Sequence, residues 1–358
     1  MTIGSLKTTI FCNSSLKHER PLIIPIFLPH MGCPHQCLFC NQTSITGHSH
    51  QLPSKAFISH QIERFLSFNG KKRSFTEVSF YGGNFLGLSF DQIVNLLSYV
   101  SEFVQDGRVN GIRFSTRPDT IDPKRLELIA SFPISTIELG IQSMNDQVLS
   151  KVCRGHTTTD IQMAMAYLKK TDYAIGLQMM IGLPGDTFES LIKSARQVVA
   201  LKPDFVRIYP TLVLAESPLS KWYQLGKYKP LSLSAAIYQT KHLFLMFQKK
   251  GIAVVRMGLQ ASDALSKDDV VLAGPYHPAF GHLVYASIYL DTLRQLIPQI
   301  KLQTNKNVQI SVNPKDISIV TGLKKQNLTL LKKEFDLLQI KVMPDASMTI
   351  GTLSIKSG

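Results

Sequence analysis

The chain has 358 residues, enough for one large catalytic domain plus a small appendage. With 44% apolar and 18% charged residues, no apolar run near the roughly 18 residues of a membrane span, and no leader-like stretch at the start, it reads as a soluble cytoplasmic protein rather than a membrane or secreted one. The net charge of +14 leaves a polyanionic partner open, nucleic acid above all.

In chain order, six apolar or β-branched runs recur, at residues 23–28, 78–81, 111–115, 136–141, 176–181 and 205–210. Helical patterns lie between them at 91–104, 123–131, 160–170 and 187–200. Strand–helix alternation predicts an α/β fold with a parallel sheet, and six such strands suggest a partial barrel open on one side. The chemically interesting residues follow strand ends: Cys33, Gly82, Arg117 and Gln142. Active sites of parallel barrels are built there. Beyond Pro210 the pattern changes to a helix at 230–249, a strand at 252–258 and a helix at 280–296. Past Pro298 the composition turns basic, with nine Lys/Arg against four Asp/Glu in residues 299–358. The expected division is a 1–20 extension, a barrel over 21–215, an extension over 216–298 and a basic α/β module over 299–358.

Five cysteines in a chain of this length do not suggest a disulfide framework. Cys12 and Cys153 stand apart, whereas Cys33, Cys37 and Cys40 fall in one segment, Met31-Gly-Cys-Pro-His-Gln-Cys-Leu-Phe-Cys, with the spacing C-x3-C-x2-C. Three soft thiolates on one loop suit iron–sulfur or zinc. Zinc would need a fourth ligand, which His30 or His35 could supply.

Tyr81-Gly-Gly-Asn84 follows the second run, and paired glycines let a backbone approach a ligand closely. Ser115-Thr-Arg-Pro-Asp119 ends the third run, and its Arg117 can grip a carboxylate through two parallel bonds. Glu138 lies within the apolar run Ile137-Glu-Leu-Gly-Ile-Gln142, and a buried acid needs a partner: a pair of ribose hydroxyls, or Arg117. Arg154-Gly-His156 follows, then Gln178 in Gly176-Leu-Gln-Met-Met-Ile181, whose two methionines read as core.

The cysteine spacing with these motifs resembles the radical S-adenosylmethionine (SAM) superfamily, and the resemblance implies its partial barrel and chemistry. Cys33, Cys37 and Cys40 would hold a [4Fe–4S] cluster whose open iron chelates SAM. An electron from a donor such as flavodoxin or ferredoxin would then cleave SAM to a 5′-deoxyadenosyl radical. Phe39 would lie beside the adenine. Gly82, Gly83 and Asn84 would take the SAM amino group, with the Asn84 carbonyl in place of an acid. Ser115 and Arg117 would face its carboxylate end, and Glu138, Gln142 and Gln178 its nucleoside.

Residues 115–119, 138–143 and 154–157, then Tyr209-Pro-Thr-Leu-Val213 and Leu219-Ser-Lys-Trp-Tyr-Gln-Leu-Gly-Lys-Tyr-Lys229, resemble the radical SAM half of the Elongator catalytic subunit family, which modifies tRNA uridine. The likeness runs over about residues 20–260. The cysteine spacing is tighter than in that family and no acetyltransferase domain follows, which implies a different or partial reaction. In the tail, Val320-Thr-Gly-Leu-Lys-Lys-Gln-Asn-Leu328 resembles the core of a KH module, the RNA clamp built on a glycine-rich loop between helices. The second glycine of that loop is missing here, and Gly322, Lys324 and Lys325 would face phosphate. A radical SAM enzyme acting on RNA is therefore the expected function. A porphyrinogen-type small-molecule enzyme is the alternative, although those enzymes carry a further cysteine soon after the triad and here Asn41 and Gln42 follow Cys40.

Overall fold

The computed structural model describes residues 6–11, 21–28, 30–41, 51–68, 75–259, 265, 269–301 and 306–358. All six expected barrel strands form: β2 (Leu22–Phe27), β3 (Thr76–Tyr81), β4 (Gly111–Thr116), β5 (Ile134–Gln142), β6 (Ala174–Ile181) and β7 (Phe205–Pro210). A seventh, β9 (Ala253–Met257), pairs parallel with β7, so the run expected at 252–258 belongs to the barrel sheet. The order is β2-β3-β4-β5-β6-β7-β9, with every neighbouring pair parallel. Residues of both edge strands, β2 and β9, line the same cavity, so the sheet curls into a half-barrel.

Crossover helices cover the outside. They are α1 (Lys55–Ser67), α2 (Phe90–Gln105), α3 (Pro123–Ile129), α4 (Asp146–Lys151), α5 (Thr158–Leu168) and α6 (Phe188–Leu201). Their starts are written locally. Ser89 with Gln92, and Thr157 with Asp160, close capping boxes, while Asp122 caps α3 ahead of Pro123. The apolar faces of these helices pack on the outer strand residues, Ile93, Leu97 and Val100 of α2 being fully buried.

After β7 come a short strand β8 (Val213–Leu214), α7 (Pro218–Gln224) and α8 (Leu233–Lys249), and after β9 a strand β10 (Val271–Ala273) paired with β8. Then α9 (Phe280–Leu296) carries the C-terminal unit: β11 (Asn307–Val312), α10 (Ile317–Thr321), α11 (Gln326–Glu334), β12 (Gln339–Pro344) and β13 (Thr352–Ser357). β11 runs parallel to β12 and antiparallel to β13, whose outer edge is closed by the N-terminal strand β1 (Leu6–Thr9). The unit is bound to α9 by Asn327 Nδ2, which donates to Ala286 O at 2.9 Å, and is braced internally by Asp316, which accepts from Gly351 N at 2.8 Å. Among the described residues no helix is long and apolar enough to cross a membrane.

Candidate active site

A cavity of about 890 Å3 fills the half-barrel. Side chains alternate along a strand, and the wall is built mainly from alternate residues: Ile23, Pro25 and Phe27 of β2, Arg113 and Ser115 of β4, Glu138, Gly140 and Gln142 of β5, and Phe205, Arg207 and Tyr209 of β7. Cys33, Cys37 and Cys40 line it from the loop after β2. Cys37 is buried and the other two are half-buried, whereas Cys153 is exposed, and Cys12 lies outside the described residues.

The cysteine loop is held from three sides. Leu38 N donates to Val152 O at 3.0 Å, Leu219 N donates to Leu38 O at 2.8 Å, and Asn84 Nδ2 donates to Gly32 O at 2.8 Å. Gly32 has φ +69°, and a Cβ there would lie 2.2 Å from Asn84 O, so only glycine lets the two loops touch. Arg154 Nη1 donates to Cys37 Sγ at 3.3 Å while its Nη2 donates to Gly140 O at 2.7 Å. Burial pushes the Cys33 thiol up, against the pull of Arg154.

Gly82 and Gly83 line the cavity, but Asn84 does not. It is fully buried, and its Oδ1 accepts from Thr116 Oγ1 at 2.7 Å, Arg117 N at 2.9 Å and Thr120 Oγ1 at 3.0 Å. The carbonyl expected to receive an amino group is therefore saturated. Asn84 instead ties the cysteine loop to the end of β4, and the open surface at this turn is glycine backbone.

Arg117 is 2% exposed and lines the cavity. Its Nε and Nη2 are bound by Asp119 at 2.9 and 2.8 Å, while Nη1 is buried without a partner. Burial works against the Asp119 carboxylate, yet Arg117 holds its pKa below the usual range. The two-pronged grip expected of Arg117 is thus spent on Asp119, and one donor remains for a ligand.

Glu138 is paired with two arginines, neither of them Arg117. Its Oε1 accepts from Arg113 Nη1 at 3.0 Å, Arg207 Nη2 at 3.0 Å and Tyr81 OH at 3.2 Å. Arg113 also donates through Nε to Glu77 at 3.0 Å. Burial disfavours the charge on Arg207, but Glu138 holds its pKa well above the usual value. The sequence reading missed Arg113 and Arg207, although both sit, like Glu138, at alternate positions of otherwise apolar strands. Gln142, with φ +64°, accepts from Gln178 Nε2 at 3.0 Å, and both line the cavity with Phe39. Met179 and Met180 are both core as expected, and Met180 also lines the cavity. Gly322, Lys324 and Lys325 lie between α10 and α11 and are not part of the cavity wall; both lysines are exposed with positive φ.

His156 is 3% exposed, with Nε2 on Ile141 O at 3.3 Å and a partnerless Nδ1. Burial, reinforced by Arg154 and Arg117, pushes its pKa down to about 3. The folded imidazole stays neutral while the unfolded one takes a proton below about 6.5. Stability is therefore full above that pH and falls as the pH drops, by about 2 kcal/mol at pH 5. In urea unfolding at pH 7 and pH 5, His156→Asn should remove most of this difference. An unchanged difference in the variant would assign the acid sensitivity to another group.

Three thiol sulfurs on one loop, an unpaired guanidinium nitrogen and a glycine-walled turn suit a metal–sulfur centre with a carboxylate-bearing ligand beside it. The radical SAM superfamily model matches residues 28–198, and the radical SAM C-terminal domain model matches residues 203–290. An uncharacterized protein of Methanocaldococcus jannaschii is 27% identical over 215 residues, 56% of this chain and 64% of its own. A tRNA uridine(34) acetyltransferase of Dehalococcoides mccartyi is 23% identical over 240 residues, 58% of this chain and 52% of its own. The chain thus spans between half and two thirds of the length of these relatives. The structure of an archaeal Methanocaldococcus infernus Elp3 with an N-terminal deletion shares the fold, with a TM-score of 0.59 and 19% identity over 77% of this chain and 64% of that one. The barrel and the segment after it each answer to a radical SAM model, and the chain belongs to the radical SAM superfamily: it is an enzyme whose cofactors are a [4Fe–4S] cluster and SAM.

Proposed function

We propose that this enzyme modifies a nucleoside of an RNA, specifically of tRNA. The observation that carries the reading is the cavity. At about 890 Å3 it lies near the upper end of ordinary ligand pockets, roughly 300–1,000 Å3, with room for a second ligand beside the cofactor. Its wall is cationic, with Arg113, Arg117, Arg154, Arg207 and Arg256 against Glu138. The likeness to a protein named for tRNA uridine(34) makes tRNA the RNA of choice, and the net charge of +14 agrees with it.

The cluster and SAM supply a carbon-centred radical at this site. The chain's own residues hold and shield the cofactor. Cys33, Cys37 and Cys40 are the cluster ligands, the Gly82 and Gly83 backbone meets the SAM amino end, and Arg117 Nη1 its carboxylate. Phe39, Gln142 and Gln178 border its nucleoside. Arg117→Ala should weaken SAM binding by roughly 1.5–3 kcal/mol, the size of one lost charge-assisted bond. Equilibrium dialysis of the cluster-loaded variant measures this, and unchanged affinity removes Arg117 from the SAM contacts.

The exposed Lys324 and Lys325 extend the RNA surface beyond the cavity. tRNA affinity should fall steeply as salt rises, because bound counterions are released. Lys324→Glu with Lys325→Glu should cost about 1–3 kcal/mol of affinity at physiological salt. Filter binding of unmodified tRNA over a salt series tests both. Binding that ignores salt and charge reversal removes the loop from the interface. Absence of binding at low salt overturns the RNA reading.

A further inference from the structure

The seventh strand carries a feature that cofactor binding does not use. Along β7 and β9, Phe205 pairs with Ala253 and Val206 with Val254, but Arg207 pairs with Arg256 and not with Val255. Val255 is thus an extra residue in β9, and it is 47% exposed. In regular alternation Val255 would share the face of Ala253, and Arg256 would point out of the barrel. The extra residue sets Arg256 opposite Arg207, and Arg256 lines the cavity along with Val254 and Val255. Bulges of this kind recur next to active sites, where they re-aim a side chain.

The placement is unfavourable without a ligand, because like charges on opposed residues of neighbouring strands repel. The interior carboxylates do not relieve it. Glu138 serves Arg113 and Arg207, and Glu77 serves Arg113, Ser135 and Thr136. Arg117 is committed to Asp119, and Arg154 to Cys37 and Gly140. Among the described residues Arg256 has no hydrogen-bond or ion-pair partner, so one uncompensated positive charge faces the cavity. Leu259 and Leu265 line the same cavity, and an apolar wall strengthens an ion pair formed there.

We propose that Arg256, with Arg207 beside it, forms an anion subsite that takes a phosphate of the substrate, which is therefore bound as a nucleotide and not as a free nucleoside. The proposal rests on the nucleoside reading above and assigns the substrate's anchor. A guanidinium fork matches phosphate geometry, and the free fork of Arg256 supplies it while Arg207 stays locked on Glu138.

The test is calorimetric titration of the full, cluster-loaded chain with uridine 5′-monophosphate, uridine, ribose 5-phosphate and inorganic phosphate. Wild type should bind uridine 5′-monophosphate about tenfold or more tighter than uridine, the effect of one charge-assisted contact. Arg256→Gln should erase that advantage, and Arg256→Lys should keep part of it. Because the arginine is unpaired and repelled, Arg256→Gln should unfold at no lower temperature than wild type, which separates lost binding from lost fold. Equal binding of uridine and its monophosphate, absence of binding by any phosphate-bearing probe, or a Gln variant that keeps the advantage overturns the subsite. If ribose 5-phosphate binds as tightly as the nucleotide and loses its affinity in Arg256→Gln, the subsite stands and the nucleoside reading falls.

Discussion

Replacing any one of Cys33, Cys37 or Cys40 by alanine should abolish the cluster, and with it all cleavage of SAM. Wild-type protein reconstituted without oxygen should hold about four irons per chain and absorb broadly near roughly 400 nm. Each of these variants should lose that absorption and release no 5′-deoxyadenosine after reduction. Cys153→Ala should keep both, because Cys153 is exposed and is not part of the cavity wall. The loop's hydrogen bonds to Val152, Leu219 and the Asn84 side chain do not involve the thiols, so the apoproteins should retain their fold. A wild type that takes up one zinc per chain and no iron would sink the cluster assignment. Arg154 sets a graded version of the experiment. Its contact with Cys37 is a hydrogen bond to the sulfur, so Arg154→Ala should leave the cluster in place with altered stability and potential.

Removing the carboxylate of Glu138 should cost several kcal/mol of stability. Glu138 is 3% exposed and is shared by Arg113, Arg207 and Tyr81. Burying ions is costly, and losing one partner strands the others, so Glu138→Ala should destabilise by about 3–5 kcal/mol. The penalty is chiefly that of Arg207 left without a carboxylate in a low-dielectric interior, because Arg113 keeps Glu77. Glu138→Gln keeps an acceptor oxygen and should lose less. Adding Arg207→Met to Glu138→Ala should restore part of the loss, because the apolar side chain has no charge to strand. Urea unfolding of the four proteins measures the series. A Glu138→Ala variant within about 1 kcal/mol of wild type would mean that water or relaxation already satisfies the arginines.

The sequence by itself determined the elements and the cluster loop. The alternation of apolar runs and capped helices is local information, and six of the expected helices, over 91–104, 123–131, 160–170, 187–200, 230–249 and 280–296, appear within a few residues of their expected bounds. The cysteine spacing was equally legible, because three thiols in one short segment must share a loop wherever the rest of the chain goes. Partner choice was not legible. Arg117 and Glu138 were singled out as a possible pair, yet the register of β4, β5 and β7 puts Arg113 and Arg207 beside Glu138 and leaves Arg117 to Asp119, two residues away. Asn84 looked like a ligand contact from its motif, but three donors converging from the end of β4 and the turn after it consume its carbonyl. The seventh strand read as a later extension because its run stands apart from the strand–helix alternation; only pairing with β7 makes it a barrel wall. The aim of Arg256 depends on one bulged residue in that pairing. Strand register, and hence which side chains face inward, is set by contacts between segments far apart in the chain, so it had to come from the tertiary structure.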